Sequence, residues 1–330
     1  MDDLFKVRTL TTAVNNLKAP KRPIFSRLFA DKMHMEPSDR LAFDIISGSE
    51  GILKNISVYA PAQVTEKTGR KTVTVQAPRL AHKRFIHTAE LNGVRAYGEQ
   101  AALELMSNRI NRELTDMRNM IDRTLEYWAS TVLQGKIVDD DGSTLVDYNM
   151  DASHKPTLST LWTAAESNPI NDIRAWKRLI EQDHGGEIQR WIAFVGWEAM
   201  DALLGNEAVL GLLRYDSGRT IAETGDVERL AGCEIVEVTG SYVDQSQTRQ
   251  YFVPQDRFCL VGYSDDAFDC PYAPVVDEDA PQGVGNLEPG QYLFSKSWAT
   301  KDPSGRWIKV ESRPLPVLQR PGAIVYAKVV

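Results

Sequence analysis

Several stretches carry residue types that could do chemistry, and each lacks a group its chemistry requires. His184-Gly185-Gly186-Glu187 sets an imidazole near a carboxylate, the makings of a general base and its orienting acid, yet the two glycines read as a helix exit followed by a turn. Asp139 and Asp141 are spaced like the first ligands of a calcium loop, but Thr144 stands at the required glycine and Met150 at the bidentate glutamate. Gly283-Val284-Gly285 opens like a dinucleotide fingerprint and continues Asn286-Leu287-Glu288-Pro289, with no third glycine and a proline where a helix should begin. His34, His82, His87 and His154 fall at no metal-ligand spacing, and neither a Gly-x-Ser-x-Gly elbow nor a Gly-Lys-Ser/Thr loop occurs. Phe85 and Tyr59, the aromatics of a basic stretch, make too thin a platform for stacking single-stranded nucleic acid. The expectation is no catalytic residue, no cofactor and no metal.

Charge is distributed more tellingly. The chain of 330 residues carries a net −7, which argues against a surface that holds nucleic acid by neutralising phosphates. Between Gly51 and Leu91 there are seven basic residues against Glu66 and Glu90, a net of +5, which leaves −12 for the rest. Among them, Lys67, Arg70, Lys71, Arg79, Lys83 and Arg84 are candidate contact residues. In the body, Asp265, Asp266, Asp269, Asp277, Glu278, Asp279 and Glu288 share a stretch without Lys or Arg. That stretch is either a solvated acidic loop or the surface that answers the basic arm of a neighbouring copy.

The elements that must position these groups follow from periodicity. Leu103, Met106, Ile110, Leu114, Met117, Ile121, Leu125, Trp128 and Val132 are separated by about 3.6 residues on average, one helical face. This predicts a spine helix from Ala101 to about Leu133, roughly 45 Å long at about 1.5 Å per residue, with Gly98 and Gly135 as stops. Ahead of it, Ile52 to Lys67 and Lys71 to Leu91 read as the strands of a long hairpin turning at Thr68-Gly69-Arg70. Pro61 and Pro78 would keep its edges from recruiting further strands. A hairpin this long is at best marginal in water unless it rests on something, and another copy is the natural support. Leu4 to Pro23 reads as an extended arm, Phe25 to Met33 as helical, and Leu41 to Ile46 as a strand. An α/β unit follows, with helices near 170–182 and 197–204 and strands at 191–195, 233–239, 250–253 and 258–262. A second hairpin pair is expected at 291–297 and 306–312, and a last strand at 323–330.

Composition allows a sizeable core, with 42% apolar residues. No apolar run approaches the length of a membrane span and the N-terminus lacks a signal pattern, so a cytosolic chain with no membrane partner is expected. Cys233, Cys259 and Cys270, odd in number and without a Cys-x-x-Cys unit, read as reduced core thiols.

Three stretches, in order, carry a family resemblance: Phe-Ser-Arg-Leu-Phe at 25–29; Phe252-Val253-Pro254 followed by Leu260-Val261-Gly262; and Ser297-Trp298-Ala299-Thr300-Lys301-Asp302-Pro303 followed by a strand and Ser312-Arg313-Pro314-Leu315-Pro316-Val317-Leu318. With the arm, spine and α/β unit in this sequence, the chain resembles the lambda-like major head protein family of tailed phages. That resemblance implies an α+β, Hong Kong 97-type capsid fold. Its parts would be an N-terminal arm and first body strand (1–50), an extended β-hairpin loop (51–93), a peripheral domain with the spine helix (94–138), an α/β axial domain (139–288), and strands returning to the peripheral domain (289–330). It also implies hexamers and pentamers in an icosahedral head around double-stranded DNA, assembled in the host cytoplasm and read by no sequence-specific nucleic-acid contact. With fewer than about fifty residues before the loop, a separate scaffolding protein is expected, with a portal and a decoration protein as further partners. Some relatives crosslink covalently; Lys67 or Lys71 would be the donor here, but no acceptor is identified. Two other readings are a nanocompartment shell of the same fold, and a soluble α/β enzyme with a hairpin lid and His184 with Glu187 at work.

Overall fold

The structure is a computed structural model and describes residues 5–47, 69–87, 99–216, 227–280 and 291–330. In chain order it opens with helices α1 (Val7–Asn16) and α2 (Pro23–Leu28) and strands β1 (Met33–Met35), β2 (Arg40–Ser47), β3 (Gly69–Gln76) and β4 (Leu80–His87). Next comes α3 (Glu99–Val132), the expected spine; Gly135, at φ +80°, takes the left-handed turn just beyond it. The predicted stripe is buried from Ile110 through Leu114, Met117, Ile121, Leu125 and Trp128 to Val132. Then follow β5 (Lys136–Val138), β6 (Thr144–Asp147), α4 (Pro169–His184), β7 (Arg190–Val195), α5 (Trp197–Gly205) and α6 (Glu207–Asp216). The remainder is strand: β8 (Arg229–Leu230), β9 (Cys233–Glu237), β10 (Ser241–Val243), β11 (Arg249–Tyr251), β12 (Arg257–Tyr263), β13 (Phe268–Tyr272), β14 (Phe294–Thr300), β15 (Gly305–Ser312), β16 (Val317–Leu318) and β17 (Ile324–Lys328).

The chain divides into two compact units. The first is drawn from Met1–Leu41, Thr74–Glu126 and Cys270–Pro316. Its main sheet is antiparallel in the order β14-β15-β4. One face, with Ile86, Ile308 and Val310 buried, lies toward α3, where His82 Nε2 sits 3.0 Å from the Met117 carbonyl. On the other face Phe85, Trp307 and Trp298 stand in register across the three strands, with ring centroids 4.9 and 6.4 Å apart. Lys83 covers Trp307 and Lys296 covers Trp298, cation–π contacts that keep the rings partly out of water.

The second unit is drawn from Ala42–Val73, Tyr127–Asp269 and Val317–Val330. It is built on a mixed sheet, β17-β12-β7-β9-β8, in which β7 and β9 run parallel. A parallel pair needs a crossover, and α5 and α6 lie within it. The core joins Ile173, Trp176 and Ile180 of α4 to Ala199, Met200 and Leu203 of α5 and to Phe258 and Leu260 of β12. Helix α4 starts on an Asn168 side-chain cap with Pro169 in its first turn, and ends on left-handed Gly185, so the two glycines after His184 do mark a helix exit. Gly196 allows the α5 entry to press on the next loop: a Cβ there would lie 2.2 Å from the Pro254 carbonyl oxygen. The three cysteines are buried free thiols.

Several expectations differ from the structure. The segment at 4–23 is not extended throughout, because α1 forms within it and buries Leu10 and Val14. Gly69 and Arg70 are not a turn: they begin β3, which pairs with β2. The second hairpin strand is also not continuous, for Ala77-Pro78-Arg79 separates β3 from β4, and β4 joins the body sheet through β15 because Ile86 and its neighbours have an apolar face to bury. Ile52 to Lys67 lie outside the described residues. The last strand, which the resemblance groups with the strands returning to the peripheral domain, pairs as β17 with β12, and Ile324, Val325 and Ala327 are buried there.

Candidate assembly surface

Three charged residues on successive turns of α3, Arg118, Asp122 and Glu126, hold the N-terminal segment. Arg118 Nη1 donates to the carbonyls of Val14 at 2.8 Å, Asn15 at 3.0 Å and Leu17, the orphan acceptors at the end of α1. Arg22, just before α2, pairs with Asp122 at 2.8 Å. Glu126 accepts the backbone N–H groups of Ile24 at 2.9 Å and Phe25 at 3.0 Å, capping α2 from outside its own sequence. A cation at a helix C-terminus and an anion at a helix N-terminus both have the favourable sign. Glu126 is 1% exposed; burial, offset in part by the two N–H bonds, pushes its carboxyl up to about 7. Burial likewise raises Asp122 against the pull of Arg22 and Arg118.

The grip on α1 is mostly polar. Within its ten residues two apolar side chains are buried, Leu10 and Val14. Burial of about 1.5–3 kcal/mol each does not offset an ordering cost of about 1–2 kcal/mol per residue. Bonds to the edge of β14 add to this burial. Thr11 Oγ1 donates to the Ser295 carbonyl and accepts its N–H, both at 3.1 Å. One turn on, Asn15 Nδ2 donates to the Leu293 carbonyl at 2.7 Å, while its Oδ1 accepts the N–H of Tyr292 at 3.0 Å and of Leu293 at 3.2 Å.

The acidic and basic residues singled out by sequence are, for the most part, answered within the chain. Arg79 forks onto Glu311 at 2.7 and 2.8 Å, and Lys309 reaches the same carboxylate. Glu311 has no exposed side-chain area; burial raises its carboxyl, but the bonds from Arg79 and Lys309 outweigh this and hold it below the ordinary value. Arg84 meets Glu113 at 2.8 Å and Asp116 at 3.3 Å on α3, Lys83 lies over Trp307, and Arg70 pairs with Asp44 on β2. On the acidic side, Asp277 takes Lys296 at 2.6 Å and Lys309 at 2.9 Å, and Asp279 takes Lys296 at 2.9 Å. Burial works against the Asp277 carboxylate, yet these bonds bring its pKa down to about 2. Asp266 accepts Arg320, Asp265 accepts Gln189, and Asp269 is within 3.5 Å of Gln319. Lys71 and Glu278 are exposed, and among the described residues neither has an ion-pair partner; Lys67 lies outside them.

His184 is structural. It is 1% exposed, with Nε2 2.8 Å from Ser264 Oγ, and Ser264 donates its own hydrogen to Asp266 at 2.8 Å. A nucleophilic serine gives its proton to histidine, whereas here the Ser264 hydroxyl points to a carboxylate. Ser264 is 3% exposed, and Arg320 closes the cluster by bonding Asp266 and the His184 carbonyl. Glu187 is exposed. Ser264→Ala is expected to lower the urea-unfolding free energy by about 1 kcal/mol, the cost of leaving buried His184 short of a bond while exposed Asp266 turns to water.

The sequence reading missed the Arg118–Asp122–Glu126 row. Its signal was a charge at i, i+4 and i+8 directly beside the apolar stripe, each acid following a buried Ile121 or Leu125.

Among solved structures the chain is similar to a prophage protein of E. coli CFT073 assigned to its capsid, with a TM-score of 0.66 at 16% identity, covering 98% of this chain and 99% of that one. It is similar also to a phage-related protein from Bordetella bronchiseptica RB50, TM-score 0.58 at 13% identity over 98% and 97% of the two chains. The capsid of Ralstonia phage GP4 gives a TM-score of 0.55 at 11% identity, covering 94% and 92%. These establish the fold, the α+β Hong Kong 97-type capsid architecture. No curated protein matches in sequence. The family profile described as phage major capsid protein E matches residues 6–329, and the chain belongs to that family of phage capsid proteins.

Proposed function

We propose that this capsid protein assembles as hexamers and pentamers into the icosahedral head of a tailed phage, enclosing packaged double-stranded DNA. The observation that carries the reading is the family match along residues 6–329, spanning segments of both units. The first unit, with most of α3, takes the part of the peripheral domain, and the five-stranded sheet of the second unit that of the axial domain. A separate scaffolding protein, a portal and a decoration protein are the partners, met in the host cytoplasm. Lys67 and Lys71 on the arm, and Glu278 on the acidic stretch, make the contacts between neighbouring copies; the remaining charges of both sets serve mainly the subunit's own fold.

The charge left over on Lys71 and Glu278 supports this division. Lys67→Glu with Lys71→Glu is expected to leave the subunit folded, with an unfolding free energy within about 0.5 kcal/mol of the parent, as for surface changes generally. Co-expressed with scaffold, the same variant should yield at least tenfold fewer closed particles by sedimentation. Undiminished particle yield would remove these residues from the interface.

A further inference from the structure

We propose that α1 is a displaceable cover over the edge of β14, and that the uncovered edge takes strand β3 of a second copy. This rests on the capsid reading for the identity of the partner. Strand β14 is an edge of the β14-β15-β4 sheet, so every second residue on its outer side presents an unpaired N–H and C=O. Those groups are bonded by side chains of a helix in place of a strand. Thr11 takes both groups of Ser295 and Asn15 both groups of Leu293, each acting as donor and acceptor. The spacing permits it, because four helical residues rise about 6 Å and two strand residues about 6.8 Å. At the next outward position, Ser297 Oγ donates to the carbonyl of Phe5, just before α1, at 3.2 Å, so contact with the N-terminal segment continues along the edge from 293 to 297.

A strand would pair with the same groups through backbone alone. Helix α1 is replaceable because its apolar burial is slight and its C-terminal grip comes from two side chains, Arg118 and Asn15. Leu17 to Arg22, the connection to α2, has no fully buried residue, whereas Ile24, Phe25, Leu28 and Phe29 beyond it are each at most 1% exposed. The chain can therefore release α1 and keep α2. Strand β3 is the fitting occupant. It alternates Thr72-Val73-Thr74-Val75, is exposed or half-exposed at every position, and among the described residues pairs on one side only, with β2. Its exposed Lys71 complements Glu278, which is exposed and follows Asp277, a partner of Lys296 on β14.

Hydrogen exchange followed by peptide mass spectrometry, on the full chain alone and in shells formed with its scaffold, tests this. In the free chain, peptides covering 7–16 and 291–297 should both be protected. In shells, 7–16 should exchange at least tenfold faster, 291–297 should stay protected, and 69–76 should become protected. Retained protection of 7–16 in shells, loss of protection at 291–297, or no gain at 69–76 each overturns the proposal. A second arm needs no shells: Arg118→Ala and Asn15→Ala in the free chain should speed exchange at 7–16 at least tenfold, leave 23–29 unchanged, and produce dimers with 69–76 protected. Monomers with α1 released would overturn the proposal. Failure of the parent chain to form any shell counts against the capsid reading, and the second arm then decides the edge by itself.

Discussion

Glu126→Ala is expected to lower the stability of the isolated subunit by about 3 kcal/mol, because two buried N–H groups of Ile24 and Phe25 lose their acceptor and the carboxylate leaves a void against the α2 residues. Glu126→Gln keeps one acceptor and turns an amide N–H2 toward the other donor, so its cost should be smaller, about 1–2 kcal/mol. The two differ more clearly in pH dependence. With a carboxyl that titrates near 4.5 unfolded and about 7 folded, the native state binds the extra proton between those values. Stability from this group is therefore fully present below about pH 4.5 and lost as pH rises through about 7, a change of about 3 kcal/mol. Urea unfolding of the parent between pH 5 and 8 should show this decline, and Glu126→Gln should flatten it. An unchanged slope in the Gln variant would assign the pH dependence elsewhere.

Arg79→Ala should cost about 2 kcal/mol, because Glu311 is fully buried but Arg79 is half exposed and Lys309 still reaches the carboxylate. Its pH dependence has the opposite sign to that of Glu126. The folded Glu311 carboxyl is depressed, so its stabilisation is present above the ordinary carboxylate value and lost as pH falls through the folded one. Urea unfolding at pH 7 and near pH 3 separates the two: the deficit of Arg79→Ala should be large at the first and small at the second. Lys71→Ala, by contrast, should be silent in the isolated subunit, within about 0.5 kcal/mol. Arg79 and Lys71 fall in one basic stretch of sequence, and the contrast tells a cation of the fold from a cation of the surface.

Much of this architecture was legible in the residues. The α3 stripe declared itself because a straight helix buries one face at a fixed period, and Gly135 and Gly185 marked helix ends because each takes a left-handed turn. Strands β7, β12, β14 and β15 fell close to their expected places because short apolar or alternating runs bounded by turns leave little choice. What sequence could not show was pairing. Strand β4 reads equally well as half of a hairpin or as an edge of the body sheet, since alternation fixes its face and not its neighbour. Strand β17 likewise shows its apolar character in sequence but not that β12 is its neighbour. Helix α1 was read as extended because its apolar content is too thin to announce a helix; Arg118, more than a hundred residues away, completes it. The partners of the charges were hidden in a related way. Counting Arg79 and Asp277 by sign predicts attraction but not the partner, and both are met within the subunit by Glu311, Lys296 and Lys309.

The central claim is a closed shell of many copies. Sedimentation with negative-stain electron microscopy of the chain co-expressed with its scaffold tests it most directly. Closed particles of megadalton mass built on this subunit are expected. A monodisperse species of one to four copies, with scaffold demonstrably present, would contradict it.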